Sequence, residues 1–237
     1  MLKSTIDCSI DQADCTLVIP AYNEEMRIRS LLEDISGFPG DLIFVCDGTD
    51  ATSTIINEFA DDHPSLHIRC LTFSSRLGKG GGIVAGVREA STPYIGYMDA
   101  DGSTSLSEME RLFGHMAAVD GAIGSRWLPE SVLTVNQGLK RRIESRLFNL
   151  MVRLFFGLDY RDTQCGAKVF RKEVLEAVIP SIQSTGFEFD VELLWRLQQN
   201  GYRVEEIPIV WENRDESKVG AGDAEAMLSG MIRLRFR

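Results

Sequence analysis

The chain has 237 residues, which is long enough for one sizeable α/β domain, and no linker rich in Pro, Gly or Ser divides it. Its 25 basic and 35 acidic residues give a formal net charge of −10. This balance argues against a general nucleic-acid binder, because such proteins gain affinity by neutralising phosphates, so we expect no nucleic-acid partner.

The apolar residues and the cysteines indicate the cellular setting. No window approaches the roughly 18 apolar residues of a membrane span, and residues 1–14 lack the apolar core of a secretory signal. The five cysteines form no CxxC pair, and several lie in apolar segments where a free thiol behaves as a small hydrophobe. We therefore expect a reduced, cytoplasmic environment.

In residues 15–125, short apolar segments alternate with helical ones, a pattern typical of a mostly parallel sheet with crossover helices. The predicted strands are Thr16–Ile19, Leu42–Cys46, His67–Thr72, Tyr94–Met98 and Gly121–Gly124. Apolar residues at three- and four-residue spacing predict helices over Glu24–Ile35, Thr52–Asp61, Lys79–Ala90 and Leu106–Val119. We interpret residues 15–125 as a nucleotide-binding half.

Beyond Ser125 the regular alternation stops. A basic segment is followed by the segment Cys165–Phe170, a helix near Val191–Gln199 and a strand near Arg203–Trp211. We interpret residues 126–237 as an acceptor-facing and membrane-facing elaboration of the same sheet, so that residues 1–237 form a single α/β domain.

The first two predicted strands end in polar residues that suit a nucleoside. Pro20 closes the first strand, and Tyr22 and Glu24 then follow, so the ring could stack on a base and the carboxylate could accept from a ribose hydroxyl. Asp47 follows the second strand and could accept the N3–H of a uracil, while Gly48 allows close approach. Ordinary strand and helix ends explain each signal equally well when it is taken alone.

Residues 74–82 (SSRLGKGGG) form a glycine-rich loop that opens the third predicted helix. Such a loop could offer backbone N–H groups and the cation of Lys79 to a phosphate. It is not a Walker A motif, because the spacing GxxxxGK[ST] is absent. A flexible helix entry is the alternative, but Arg76 and Lys79 lie just before an acidic strand end and favour phosphate binding.

Asp99-Ala100-Asp101 follows the apolar run 94–98, at the usual ligand edge of an α/β sheet. Side chains two apart on an extended chain point to the same side, so Asp99 and Asp101 can address one ligand. Oxygen ligands suit Mg²⁺ or Mn²⁺, and a metal-bound diphosphate could sit here. A polar turn explains the tripeptide alone, but its neighbours favour the metal site.

The order and spacing of several motifs resembles family 2 glycosyltransferases, and most of all the dolichyl-phosphate β-glucosyltransferases, with the dolichyl-phosphate mannose synthases as close relatives. The motifs are VIPAYNEE, CDGTDAT, RLGKGGG, DADG, GSR, DTQCGAKVF, FEFDVELL and IRLRF. The resemblance covers residues 15–237, and DTQCG followed by FDVELL is its most specific part. It implies a GT-A fold, a UDP-sugar donor, Mg²⁺ or Mn²⁺, and a polyprenyl phosphate acceptor.

The resemblance implies a role for each matching residue. It places Pro20, Tyr22, Glu24 and Asp47 around the nucleoside, and Asp99 and Asp101 at the ribose, metal and diphosphate. Lys79 joins this donor set through the charge of the glycine-rich loop. At the acceptor phosphate the resemblance places Arg126, either Arg141 or Arg142, Ser145 and Asn149. We interpret Asp162 and Gln164 as residues that shape the sugar pocket, with a turn before a strand as the alternative, so the expected catalytic set is Asp101, Arg126, Asp162 and Gln164.

Two departures from the family pattern bear on the donor. Cys46 stands where relatives have the first Asp of DDGSxD, which weakens the expectation of uracil recognition. Gly102-Ser103 follows the acidic pair where mannose synthases often have Leu-Gln, which favours the glucosyltransferase group.

The charges of the two substrates indicate the reaction. A phosphomonoester with its second pKa near ~6 is largely dianionic at neutral pH, so it needs no strong general base. Its approach to an anionic donor needs cations, which the metal, Arg126, Arg141 and Arg142 would supply. We expect direct in-line transfer of glucose from UDP-glucose, with inversion to a β-linked lipid phosphate sugar. The alternatives are transfer from GDP-mannose and a sugar-nucleotide-binding regulator without turnover.

Two further segments have open interpretations. Glu188 and Asp190 suit a general-base role, but Asp190 is equally suited to N-cap the helix that follows it. Leu139–Phe156 has the pattern of a basic amphipathic helix, so we expect it to lie on the cytosolic face of an anionic membrane, with residues 227–237 docking beside it. A core helix with a solvated basic edge is the alternative.

Overall fold

A computed structural model of the chain describes residues 10–134, 149–212 and 230–235. Its strands are β1 (Cys15–Ala21), β2 (Asp41–Cys46), β3 (His67–Thr72), β4 (Tyr94–Tyr97), β5 (Gly121–Ser125), β6 (Val132–Leu133), β7 (Lys168–Arg171), β8 (Val204–Pro208) and β9 (Val210–Trp211). Its helices are α1 (Ile28–Ile35), α2 (Thr52–Asp62), α3 (Gly78–Glu89), α4 (Leu106–Gly114), α5 (described over residues 149–156), α6 (Lys172–Val178), α7 (Phe189–Gln199) and α8 (described over residues 230–235).

Seven strands form one sheet in the order β3-β2-β1-β4-β7-β5-β8. The pairs β1–β2, β1–β4, β2–β3 and β5–β8 are parallel, whereas β7 runs antiparallel between β4 and β5. The prediction of an α/β fold with a mostly parallel sheet and flanking helices is confirmed. The chain runs outward from β1 to β3 and returns to β4 on the other side of β1, so the strand order reverses there, which is where such sheets bind ligands.

Helices cover both faces of the sheet because buried side chains alternate along its strands. Leu17 and Ile19 of β1 pack with α1, α2 and α4 on one face, whereas Val18 packs with α3, α6 and α7 on the other. The described residues of α5 and α8 add Val152 and Met231 to this second layer. No helix in the described ranges is long and apolar enough to cross a membrane.

Two predicted helix boundaries differ from the structure by several residues. The helix expected from Glu24 begins at Ile28, because residues 24–27 form a turn in which the Glu24 carbonyl accepts hydrogen bonds from Arg27 and Ile28. The helix expected to reach Val119 ends at Gly114 and continues as a 3₁₀ turn over His115–Ala117.

The strand expected over Arg203–Trp211 is divided between two sheets. β8 pairs with β5 as far as Pro208, and β9 then pairs with β6 in a separate two-stranded sheet. Ile209 makes the change, because its N–H donates to Ser125 on one side while its carbonyl accepts from Val132 on the other. β7 and β8, from the second half of the chain, both lie in the main sheet.

Candidate active site

The acidic pair lies at the carboxyl end of β4, beside the point where the strand order reverses. Asp99 Oδ1 lies 2.8 Å from the Lys79 ammonium, and Asp101 Oδ1 accepts from the Ser103 N–H at 2.9 Å. Burial and the negative charge of Asp99 raise the pKa of Asp101, and the charge of Arg27 acts in the opposite direction. The charge of Asp99 therefore repels that of Asp101, which lies in a poorly solvated position.

This donor set suits a hard divalent cation. A dication beside Asp101 would relieve the repulsion, and both carboxylates offer the oxygen ligands that Mg²⁺ and Mn²⁺ prefer. Among the described residues, no group of three or more His, Cys, Asp or Glu side chains is placed to hold a metal. A metal here would therefore take its remaining ligands from a substrate diphosphate and water, which is common for Mg²⁺.

The glycine-rich loop is fixed from two sides. Asp47 Oδ2 accepts from the N–H groups of Leu77 at 2.7 Å and Gly78 at 3.0 Å, so Asp47 caps the start of α3. Gly78 has a φ of +75°, and a Cβ there would lie 2.5 Å from the Thr185 carbonyl oxygen. That same carbonyl accepts from Gly81 at 3.2 Å. The loop therefore packs closely against the segment that leads into α7.

Lys79 joins the acidic pair to a buried charge network. Its ammonium also lies 3.2 Å from Asp190 Oδ2, and Asp190 Oδ1 accepts from Lys168 Nζ at 2.6 Å and from the Tyr97 hydroxyl at 2.7 Å. Burial raises the pKa of Asp190, but the charges of Lys168 and Lys79 and their hydrogen bonds outweigh it and hold this pKa at about 2.

The structure excludes one of the two interpretations of Asp190. The N-cap residue of α7 is Glu188, which makes no side-chain capping hydrogen bond, and Asp190 lies inside the helix. The capping interpretation of Asp190 is therefore wrong. Lys168 and Tyr97 were not predicted as site residues, and the only signal for Lys168 was a charged residue between Ala167 and Val169 in an apolar strand.

The DTQCG motif packs directly on the acidic pair. A Cβ on Gly166 would lie 2.0 Å from Asp99 Oδ2, so any larger residue here would displace the Asp99 carboxylate. The preceding carbonyl, that of Cys165, accepts from Lys168 Nζ at 2.5 Å. The same lysine therefore holds both Asp190 and the backbone beside Asp99.

Arg126, which follows β5, forms a buried bidentate pair with Asp162. Arg126 Nε lies 2.7 Å from Asp162 Oδ2, and Nη2 lies 2.9 Å from Oδ1, while the Arg126 N–H donates to Oδ2 at 3.0 Å. Burial raises the pKa of Asp162, but the charge of Arg126 and its hydrogen bonds lower this pKa by more, so the net shift is downward. The Arg126 guanidinium also faces the rings of Trp211 and Trp127, at 5.4 and 6.0 Å from their centroids.

Two more side chains position the loop that carries Asp162. Glu206 accepts from the N–H groups of Asp162 at 2.7 Å and Arg161 at 2.9 Å. Asn149 Oδ1 accepts from the Thr163 N–H at 3.1 Å and its hydroxyl at 3.0 Å. Gln164 N donates to Asp162 Oδ1 at 3.4 Å. Asn149, the last residue of the predicted acceptor pattern, thus contacts the DTQCG motif, whereas Arg141, Arg142 and Ser145 lie outside the described residues.

The side chains predicted around the nucleoside have protein partners. The Arg76 guanidinium lies 3.3 Å from the centroid of the Tyr22 ring, which was predicted to stack on a base. Glu24 is buried and forms a bidentate pair with Arg27, whose Nη2 lies 3.1 Å from Glu24 Oε1. Pro20 lies in β1 and contacts α3 at Gly82. Arg27, which faces both Glu24 and Asp101, was not predicted.

An apolar surface with basic residues lies on helices α5 and α8. Leu150, Leu154 and Phe155 of α5 and Ile232 of α8 are large apolar side chains with exposed fractions of 48%, 78%, 37% and 46%. Arg153, Arg233 and Arg235 lie among them, and Arg235 Nε donates to the Phe155 carbonyl at 3.1 Å. We call these residues the α5/α8 surface. Residues 139–148 of the predicted amphipathic helix lie outside the described residues.

Comparisons with known proteins agree on one family. The model described as Glycosyl transferase family 2 matches residues 16–179. The chain is 34% identical over 215 residues to Glycosyltransferase AglD of Haloferax volcanii, covering 87% of this chain and 34% of that protein. It is 29% identical over 247 residues to the dolichyl-phosphate beta-glucosyltransferase of Dictyostelium discoideum, covering 96% and 76%. It is 31% identical over 207 residues to the polyprenol monophosphomannose synthase of Mycolicibacterium smegmatis, covering 84% and 77%.

Solved structures resemble the fold at low sequence identity. Glucosyl-3-phosphoglycerate synthase from Mycobacterium tuberculosis, in complex with UDP, superposes with a TM-score of 0.64 at 17% identity, covering 92% of this chain and 77% of that one. Mannosyltransferase PcManGT from Pyrobaculum calidifontis, in complex with GDP-Man and Mn²⁺, gives 0.63 at 16% identity, covering 94% and 64%. The chain spans about a third of the length of the Haloferax relative and about three quarters of the Dictyostelium one.

Proposed function

This chain belongs to glycosyl transferase family 2 and has the GT-A fold, and we propose that it transfers glucose from UDP-glucose to dolichyl phosphate or another polyprenyl phosphate. The names of the Dictyostelium and Mycolicibacterium relatives support a polyprenyl phosphate as the acceptor class. The choice of glucose rests on the motif pattern, above all on Gly102-Ser103 after the acidic pair. The whole protein's substrates and partners are part of this proposal.

The observation that carries the proposal is the contact between three motifs at one edge of the sheet. The glycine-rich loop supplies Lys79, β4 leads into Asp99 and Asp101, and the DTQCG motif supplies Gly166 against Asp99. A sugar nucleotide presents a diphosphate that needs positive charge, and Lys79 with a metal at Asp101 would provide it at the point where α/β sheets bind ligands.

The metal would be held by Asp101, with Asp99 beside it. When bound, a divalent metal stabilises the negative charge that develops on the departing nucleoside diphosphate. Lys79 would contribute a second positive charge from the buried side of the site. Gly166 keeps Asp99 in position, because any larger residue would overlap its carboxylate.

The acceptor phosphate would be received near Arg126. Asp162 holds the guanidinium with two hydrogen bonds and thereby fixes its orientation, so Arg126 is presented in one direction at the end of β5. Asp190 is poorly suited to act as a general base, because it is engaged by Lys168, Lys79 and Tyr97 and its pKa is held at about 2. This suits a dianionic acceptor that needs no base and attacks in line with inversion.

The proposed acceptor also requires contact with a membrane. The α5/α8 surface combines exposed apolar side chains with arginines in a protein whose net charge is −10, so its positive charge is local. We propose that this surface lies on the cytosolic face of an anionic membrane, as a peripheral contact. Asn149 of α5 accepts a hydrogen bond from the DTQCG loop, so this helix is connected to the site. Arg235 of α8 donates to Phe155 of α5 and so connects the two helices.

Transfer of radiolabelled sugar tests the proposal. The full chain is incubated with dolichyl phosphate in detergent and with labelled UDP-glucose or labelled GDP-mannose, in Mg²⁺ or Mn²⁺, with EDTA as the control. We expect labelled lipid from UDP-glucose and none after EDTA. Product from GDP-mannose alone would assign the mannose synthase activity instead, which the Mycolicibacterium relative makes the second candidate. No labelled lipid from either donor would contradict the proposed acceptor.

A further inference from the structure

The Lys79 ammonium lies between two carboxylates in different surroundings. It is 2.8 Å from Asp99 Oδ1 and 3.2 Å from Asp190 Oδ2, and its side chain is only 11% exposed. Asp99 is 39% exposed, whereas Asp190 is 2% exposed. Lys79 therefore reaches from the buried network to the open side of the site, where a ligand would arrive.

The two carboxylates differ in the partners that each would keep if Lys79 moved away. Asp190 keeps Lys168 Nζ at 2.6 Å and the Tyr97 hydroxyl at 2.7 Å, so its charge stays compensated. Among the ion pairs of the described residues, Asp99 pairs with Lys79 alone. Departure of Lys79 would therefore free the charge of Asp99 and not that of Asp190.

We propose that Lys79 is an exchangeable cation for Asp99. When the donor binds, the Lys79 ammonium moves from Asp99 to the donor diphosphate, and Asp99 becomes available to the metal. The inference rests on the proposed function and adds that metal binding depends on whether the donor nucleotide is bound. A metal that arrives without a nucleotide must compete with the ammonium for Asp99. A bound nucleoside diphosphate offers the Lys79 ammonium another anion to pair with, so the ammonium no longer competes with the metal for Asp99.

Metal and nucleotide binding are therefore positively coupled through one side chain. Coupling between two ligands is reciprocal, so the nucleotide tightens metal binding by the same factor by which the metal tightens nucleotide binding. A lysine that only braced the site would add nothing to the coupling that a shared diphosphate gives, because its loss would weaken both ligands. Loss of an exchangeable cation strengthens metal binding without nucleotide and weakens nucleotide binding. These opposite signs distinguish the two roles.

The experiment measures Mn²⁺ binding by the electron paramagnetic resonance signal of free Mn²⁺, with and without UDP, and UDP binding by calorimetry. The full chain is compared with Lys79→Met, and Lys172→Met is the matched control, because Lys172 pairs with Glu176 on α6. We expect Lys79→Met to bind Mn²⁺ about tenfold more tightly than the wild type without UDP, since a positive charge 2.8 Å from Asp99 is removed. We expect its UDP affinity to fall, and the coupling factor with it.

Lys79→Gln keeps a hydrogen-bond donor without the charge, and it carries the same test if Lys79→Met does not fold. The inference is overturned if Mn²⁺ binding without UDP is no tighter in both Lys79 variants, or if UDP tightens Mn²⁺ binding equally in wild type and variants. If Mn²⁺ binds the wild type and both Lys79 variants equally well, this inference is overturned but the proposed metal site is not. No Mn²⁺ binding by any protein, with or without UDP, overturns it together with the proposed metal site.

Discussion

The Asp99 carboxylate fills the space that a side chain at position 166 would need, because a Cβ on Gly166 would lie 2.0 Å from Asp99 Oδ2. The two residues come from motifs about seventy positions apart in the sequence. Asp99 can therefore hold its position only while residue 166 remains glycine.

Gly166→Ala should displace Asp99 and reduce sugar transfer by on the order of 100-fold, because shifts of about 1 Å at a reacting centre have effects of that size. Gly114→Ala is the matched control, since a Cβ there meets nothing within 4 Å. Turnover and melting temperature are measured for both variants. Full activity in Gly166→Ala would contradict the importance of this contact.

Asp101→Asn should abolish metal-dependent transfer without lowering stability at neutral pH. Burial and the charge of Asp99 raise the pKa of Asp101, so its ionised form is disfavoured in the folded state. Asn removes that charge and can still accept from the Ser103 N–H. Thermal melting and transfer assays are compared with the wild type, and undiminished turnover would remove Asp101 from the metal site.

Arg126→Lys should raise the KM for dolichyl phosphate about tenfold, because an ammonium cannot reproduce the bidentate pair with Asp162. The dissociation constant of UDP should stay within about twofold if Arg126 serves the acceptor. Arg111→Lys, which alters a partly exposed pair with Glu108, is the control. Weaker UDP binding with an unchanged acceptor KM would show that Arg126 serves the donor instead.

Asp190 should make folding stability depend on pH in the acid range. Its pKa is about 2 in the folded chain, against about 3.9 when unfolded, so ionised Asp190 stabilises the fold above pH ~4 and this contribution is lost as the pH falls toward 2. The contribution is about 2 kcal/mol at neutral pH. Urea unfolding of wild type and Asp190→Asn across this range should show the wild-type advantage shrinking with acid. A difference that stays constant with pH would show that ionisation of Asp190 does not stabilise the fold.

Leu154→Glu should weaken binding to vesicles that contain phosphatidylserine, because Leu154 is the most exposed apolar residue of the α5/α8 surface. Met26→Glu is the matched control, since Met26 is an exposed apolar residue outside that surface. Co-sedimentation with vesicles measures the effect. Equal binding by both variants would show that this surface does not contact the membrane.

The strands and helices of residues 15–125 could be predicted because each carries its own apolar periodicity. The position of β7 could not, since a strand of four residues, two of them charged, does not specify which neighbours it pairs with or in which direction. The division after Pro208 likewise depends on Ile209 bonding to two different strands. Such information lies in contacts between distant segments rather than in local pattern.

The candidate site shows the same limit. The acidic pair could be predicted from its position after a strand, and Lys79 from its glycine-rich loop. The buried partners could not, because Asp190 fits a helix start on sequence alone and Lys168 lies in an apolar strand. Asp47 and Tyr22 were predicted toward a nucleoside, and the structure shows the internal partners that each already has.

The antiparallel insertion of β7 has a consequence for synthesis of the chain on the ribosome. β5 pairs with β7 and β8 but not with β4, which precedes it, so a nascent chain that ends before residue 168 offers β5 neither neighbour. Until residues 168–171 emerge, the edge of β4 that β7 will cover also lacks its partner and is open to wrong pairing. The centre of this sheet can therefore close only after residues 168–171 have been made.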